Sequence, residues 1–195
     1  PILFFFPVLA FFIAPVSSDI SPHFFSSFLS SSFSLSDSCV ASIKALYDLS
    51  NLSSDSLKGR DNKNKGYFKA ADYVISYFKK NNINPLYYGF KDVFYSDSIE
   101  TYNIVGTVGE FLNKRKTILI GAHLDHIGIN EGTVDSIYNG ANDNASGCVS
   151  VLQIGSFLSQ YKWDYNIVLA LFAEEEKGLR GSYNLAKRMK QERID

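Results

Sequence analysis

N-I-V-L-A-L-F-A, residues 166–173, carries no charge and runs straight into Glu174, Glu175 and Glu176. A short apolar run rich in branched side chains, bounded by polar sequence, reads as a strand buried on both faces. T-I-L-I-G-A, residues 117–122, has the same character and ends at His123. Between them, residues 146–160 place Val149, Leu152 and Leu158 on the inner side of a predicted helix. If both strands are parallel, His123 and the glutamates meet at the carboxyl edge of one sheet, where open α/β folds hold their ligands. Asp143 lies just before the connecting helix and is expected at that same edge.

Upstream, Val40, Ile43, Leu46, Tyr47 and Leu49 follow helical spacing from a globular start near Ser38. Residues 51–65 are polar and read as a loop. Tyr67, Ala70, Ala71, Val74, Ile75 and Phe78 predict a second amphipathic helix, ended by Asn81, Asn82 and Pro85. Residues 86–95 and 101–108, aromatic and β-branched, predict two strands. Residues 182–193 form a charged amphipathic helix. The order is helix, helix, three strands, helix, strand, helix. It predicts an α/β domain with a mixed, mostly parallel sheet flanked by helices.

Composition narrows the function. The 195 residues hold 19 Lys+Arg against 20 Asp+Glu, a net charge of -1, which lacks the basic excess of a nucleic-acid-binding face. Cys39 and Cys148 alone cannot make a disulfide-rich scaffold, and neither has metal-ligand spacing to another cysteine. They form one disulfide or stay free, and Cys148 falls on an apolar helical pattern that favours burial. Residues 1–16 are almost wholly apolar, shorter than the ~20 residues of a membrane span, and interrupted by Pro7 and Pro15. That length suits the apolar part of an export signal, with Val16-Ser17-Ser18 as a loose cleavage site. Residues 1–38 are therefore read as leader and Ser/Phe-rich linker, and residues 39–195 as the folded domain. Secretion or a cell-envelope location is the expectation, without a stable membrane span.

Each acidic or imidazole segment is ambiguous alone. A single histidine after a strand is commonly a hydrogen-bonded structural residue. Asp125, two positions on, can accept the ring's second N–H and fix its tautomer, as metal-ligating histidines require. N-D-N at 142–144 also suits a turn or helix cap, and Ser146 could cap the helix that follows. Three adjacent carboxylates beside a buried strand are costly without compensation, because like charges repel and burial disfavours ionisation. On an exposed loop they would be a solvated charge run. A metal-assisted hydrolase needs one carboxylate on the ion and another free to take a proton from water.

Taken together and in this order, G-A-H-L-D-H-I-G (121–128), N-G-A-N-D-N-A-S-G (139–147) and F-A-E-E-E-K-G-L-R-G-S (172–182) resemble the M28 family of zinc peptidases. The resemblance runs from about Ser42 and includes Gly59-Arg60, the helix from Tyr67 and Tyr102-Asn103-Ile104-Val105-Gly106. It implies a zinc-exopeptidase-like fold and a site with two Zn2+ ions. His123 would be the terminal ligand of one zinc, with Asp125 as its hydrogen-bonding partner. Asp143 would bridge both ions, with a cis peptide to Asn144. The family's Glu-Glu-x-Gly-Leu sets the register at Glu175, Glu176 and Lys177. Glu175 then matches the general base and Glu176 a ligand of the second zinc, while Glu174 replaces a commonly small residue. His126 is read as packing or supporting the first motif.

The implied activity is hydrolysis of N-terminal peptide bonds, with a peptide as partner. The family draws two further ligands, an Asp and a His, from later sequence. After Glu176 this chain has only Asp195 and no histidine. It is thus expected to be the N-terminal part of the enzyme, truncated at the C-terminus, poor in zinc and inactive by itself. A binding ectodomain without catalysis and a single-zinc glutaminyl-cyclase-like enzyme are the alternatives. Oligomeric state and side-chain preference are not legible in the sequence.

Overall fold

The computed structural model describes residues 35–132 and 134–194. The leader expected over residues 1–38 lies, up to residue 34, outside them. The helices are α1 (Leu35–Leu52), α2 (Gly66–Lys80), α3 (Ser146–Leu158) and α4 (Arg180–Gln191). The strands are β1 (Ile83–Pro85), β2 (Lys91–Ser96), β3 (Ile99–Val108), β4 (Thr117–His123) and β5 (Asn166–Phe172).

They form one mixed sheet in the order β1-β3-β5-β4, with β2 also paired to β3. β4 and β5 are parallel over their whole length, from Thr117 opposite Asn166 to His123 opposite Phe172. β3 runs antiparallel to β1, β2 and β5. The sheet is mixed, as the sequence predicts, but its parallel part among the described residues is the β4–β5 pair. The expectation of a mostly parallel sheet counted strands without their turns. A short loop at Asp97-Ser98, both with positive φ, folds β2 back on β3 as a hairpin.

β5 explains why the sheet is covered on both sides. Its alternate residues Ile167, Leu169 and Leu171 join the core beneath α2 and α3. Val168, Ala170 and Phe172 join a second core with Leu185 of α4. Every residue of β5 is buried, so strict alternation of side chains yields an uninterrupted apolar run. On the second face, Asp92 lies fully buried, accepting from Asn103 at 2.8 Å and from Arg188 of α4 at 3.0 Å.

Two local expectations change. The strand expected over residues 86–95 is broken by a 3-10 turn at Tyr88–Phe90, where Gly89 and Phe90 both take positive φ. α1 forms, but Val40, Ile43, Leu46 and Tyr47 face solvent, Leu46 being 66% exposed. The inward side instead carries Leu52 and the buried Asp48, which accepts from Tyr73 Oη at 2.6 Å and Gln153 Nε2 at 2.8 Å. Those two bonds fasten that side of the helix to α2 and α3. No described helix is long and apolar enough to cross a membrane.

Candidate metal centre

The parallel β4–β5 pair delivers its two strand ends side by side. His123 is the last residue of β4, and the chain leaves β5 at Phe172 directly opposite. The Asp143 turn, Ala141–Ala145, enters α3 on the same edge. Its peptide bond from Asp143 to Asn144 is cis, as the resemblance implies. Asn144 Oδ1 accepts from Gly147 N at 3.0 Å. Asn144 therefore supplies the side-chain cap expected from Ser146, whose hydroxyl instead donates to Asn142 O at 3.2 Å.

His123, Asp143 and Glu176 come together: one ligand atom from each lies within 4.8 Å of the others. His123 is partly buried, while both carboxylates open toward solvent. Nε2 of His123 is 3.1 Å from Asp143 Oδ1. Its Nδ1 lies 3.2 Å from the carbonyl oxygen of Asp125. A carbonyl only accepts, so Nδ1 carries the hydrogen, and a neutral ring turns its Nε2 lone pair toward a carboxylate. Such a pair of acceptors is satisfied by a proton or a cation between them. One imidazole and two carboxylates suit zinc in donor type, so the residues present fit a metal ion.

Asp125 is placed differently from the sequence expectation. Its Oδ1 is 3.8 Å from His123 Nδ1, too far for a hydrogen bond. The carboxylate instead accepts the backbone N–H of Glu175 at 3.1 Å and of Glu176 at 3.2 Å. It brackets the glutamate turn onto the end of β4, and the ring of His123 is left to Asp125's own carbonyl. Burial pushes the Asp125 carboxyl up to about 6, against the pull of those two backbone donors and of His123.

The three glutamates part company. Glu174, at positive φ, turns inward and is almost fully buried. It accepts from Asn62 Nδ2, from Ser96 Oγ at 2.9 Å and from Lys177 Nζ at 2.9 Å. That is the compensation a buried carboxylate requires. Glu175 is half-buried, with Oε2 3.9 Å from His123 Nδ1. Glu176 Oε1 is 2.6 Å from Nδ1 of His126, whose ring stands edge-on to Tyr138. Asn103 joins the glutamate turn to β3, accepting from Ala173 N at 3.0 Å and donating to Gly181 O at 2.9 Å. Cys148 is free and buried beneath the site, its Sγ 3.0 Å from His123 O, while Cys39 is free and exposed.

Sequence reasoning missed the donors that reach Glu174 from Asn62 and Ser96, and although the resemblance took in Gly59-Arg60, it gave no role to the fully buried Arg60 that lies under the same loops. Asn62 and Ser96 stand far from Glu174 in sequence and belong to no motif. Arg60 bonds only to backbone carbonyls, which leave no trace in side-chain spacing.

Comparison with known proteins gives the same direction. Residues 103–195 match the model of Peptidase family M28. Aminopeptidase Y of Saccharomyces cerevisiae is 30% identical over 124 residues, which is 62% of this chain and 21% of the yeast protein. A probable zinc metalloprotease of Pyrenophora tritici-repentis is 34% identical over 87 residues, 45% of this chain and 20% of that protein. The chain thus spans about a fifth of the length of these curated relatives. Among solved structures, LapB from Legionella pneumophila superposes with a TM-score of 0.59 at 26% identity, covering 78% of this chain and 40% of LapB. Over residues 103–195, just under half of its length, this chain is similar to peptidase family M28.

Proposed function

We propose that the protein is a zinc aminopeptidase, hydrolysing N-terminal peptide bonds at a two-zinc site to which this chain contributes His123, Asp143 and Glu176. The observation that carries the reading is the meeting of those three side chains at one sheet edge, with Glu175 beside them. Asp143, the most open of them, would bridge the ions, with His123 on one and Glu176 on the other. Zinc, when bound, supplies Lewis-acid polarisation of the scissile carbonyl and of the attacking water.

The chain's own residues do the rest. Asp125 holds the Glu175 and Glu176 amides, which fixes the backbone of both residues relative to the end of β4. Glu175 needs no place on a metal and is free to take the proton of the attacking water. It then returns that proton to the leaving amine as the peptide bond breaks. The yeast relative's name supports an exopeptidase, and the fungal relative's name supports zinc. An Asp and a His beyond Glu176 would complete the pair of sites. Residues 177–194 contain neither, so the 195-residue chain alone is proposed to hold zinc weakly.

The test uses the full-length protein. Zinc content is measured alongside hydrolysis of aminoacyl chromogenic substrates, for wild type and Glu175→Gln. Turnover is expected to fall about 10²–10⁴-fold in the variant with zinc retained. A wild-type protein free of zinc, or a Glu175→Gln protein with undiminished turnover, sinks the reading. Cyclisation of N-terminal glutamine without peptide hydrolysis would replace it with the single-zinc alternative.

A further inference from the structure

Arg60 closes the 3-10 turn Asp55–Arg60 and is fully buried. No carboxylate accepts from it among the bonds it makes. Nε donates to Leu124 O at 2.7 Å. Nη1 donates to Leu52 O and Asn139 O, each at 2.6 Å. Nη2 donates to Gly140 O at 2.9 Å and to Asp143 O at 3.3 Å. A guanidinium has five N–H donors in one rigid plane, and here each is matched to a backbone carbonyl.

The acceptors come from three separate segments. Leu52 ends α1. Leu124 stands between His123 and Asp125. Asn139, Gly140 and Asp143 define the turn that carries the Asp143 carboxylate. One planar group thus joins the segment bearing His123 to the segment bearing Asp143. We infer that Arg60 is a positioning residue that sets the His123–Asp143 geometry of the metal centre, acting through the backbone carbonyls of Leu124 and Asp143. It complements Asp125, which ties the same His123 segment to the glutamate turn.

Two further observations agree. The path around the guanidinium is tight. Gly59 has φ +64, and a Cβ there would lie 2.2 Å from Gly128 O. Gly140 has φ +58, and its Cβ would lie 2.7 Å from Arg60 Nη2. Both positions need glycine for the chain to close on the arginine. The charge is also suited to its place. Burial lowers the basicity of Arg60, but the carboxylates of Asp125, Asp143 and Glu176 act the other way and favour its cationic form. A cation below the site offsets carboxylates gathered above it. Lysine could not replace it, since a single ammonium has three donors at one point rather than five along a fork.

The inference rests on the zinc reading, and the experiment separates the two. Zinc affinity is measured by chelator competition on the full-length protein, for wild type, Arg60→Lys and Arg60→Ala. Backbone hydrogen exchange is followed on the same metal-free proteins. Zinc affinity is expected to fall about 10- to 100-fold in both variants, the range for losing a residue that orients metal ligands. Added guanidinium ion should restore part of the affinity of Arg60→Ala, and ammonium should not. Exchange protection should fall at residues 123–126 and 139–145 and hold along β5. Arg60→Lys with wild-type zinc affinity overturns the inference. So does uniform loss of protection, or failure of both variants to fold, because Arg60 would then be a general scaffold residue. A wild-type protein that binds no zinc overturns the proposed function, while local loss of protection at residues 139–145 would still uphold Arg60 as the clamp of that turn.

Discussion

Glu174, Glu175 and Glu176 are identical side chains in succession, yet the fold gives them three environments. The positive φ at Glu174 throws its side chain inward while Glu175 and Glu176 remain at the strand edge. Glu174→Gln keeps one oxygen to accept from Asn62 and turns its amide N–H to the Ser96 hydroxyl, which can accept in its place, and Lys177, a third exposed, can return to water. The substitution is expected to lower stability by about 1–3 kcal/mol, the range for disturbing a buried polar group. Turnover should stay within about tenfold of wild type, against the 10²–10⁴-fold loss expected for a missing general base. Urea denaturation and steady-state kinetics check the two halves separately. Equal catalytic losses in Glu174→Gln and Glu175→Gln would shift the base by one position. In the sequence the register at Glu175 and Glu176 follows from the resemblance to Glu-Glu-x-Gly-Leu, because motif order is a local property. What holds Glu174 could not all be read there, since two of its three donors arrive from residues 62 and 96 through tertiary folding.

At the scale of elements, the buried strands were the most legible part of the sequence. An apolar run such as β5 has only one stable disposition, between two covered faces. Helical rotation was less legible. The spacing of Val40, Ile43 and Tyr47 is that of an inward face, but α1 turns Ala45, Asp48, Leu49 and Leu52 toward the core and leaves those three residues outward. α3 offers a direct probe of packing, because it carries Cys148 on its buried side while α1 carries Cys39 exposed. Burial pushes the Cys148 thiol up to about 12, so its thiolate is scarce at neutral pH. Cys39 should react with a thiol reagent at once, and Cys148 only when α3 opens. A Cβ on Gly155 of α3 would lie 2.3 Å from Leu169 Cδ1, which shows how closely that helix rests on β5. Leu169→Ala should therefore destabilise the domain by about 2–5 kcal/mol. Cys148 labelling should accelerate by about thirty-fold or more if opening is global, at 1.4 kcal/mol per factor of ten. Mass spectrometry of timed labelling reads both sites. Rapid labelling of Cys148 in the wild type would contradict the packing of α3.

At the scale of the whole molecule, two apolar surfaces stand open among the described residues. One is the outward side of α1. The other is β4, which among the described residues pairs with β5 alone, although it ends in a candidate zinc ligand. Leu119 and Ile120 in the middle of β4 are only partly covered. A seven-residue apolar strand with an unpaired row of N–H and C=O groups is a template for another strand. The net charge of -1 gives little repulsion between copies to oppose such pairing. These features predict that the 195-residue chain self-associates as its concentration rises. The two surfaces make different demands. Edge pairing is directional and is weakened by one charge on the strand, whereas association through α1 requires only apolar contact. Ile120→Lys should shift the chain toward monomer, and Ile43→Lys should do so to a smaller extent. Size-exclusion chromatography with light scattering over a concentration series distinguishes them. A wild-type chain that stays monomeric throughout would show that the β4 edge is protected. A larger effect of Ile43→Lys than of Ile120→Lys would assign the association to α1. The same edge bears on the metal centre, because strand addition at β4 would fix the backbone on both sides of His123.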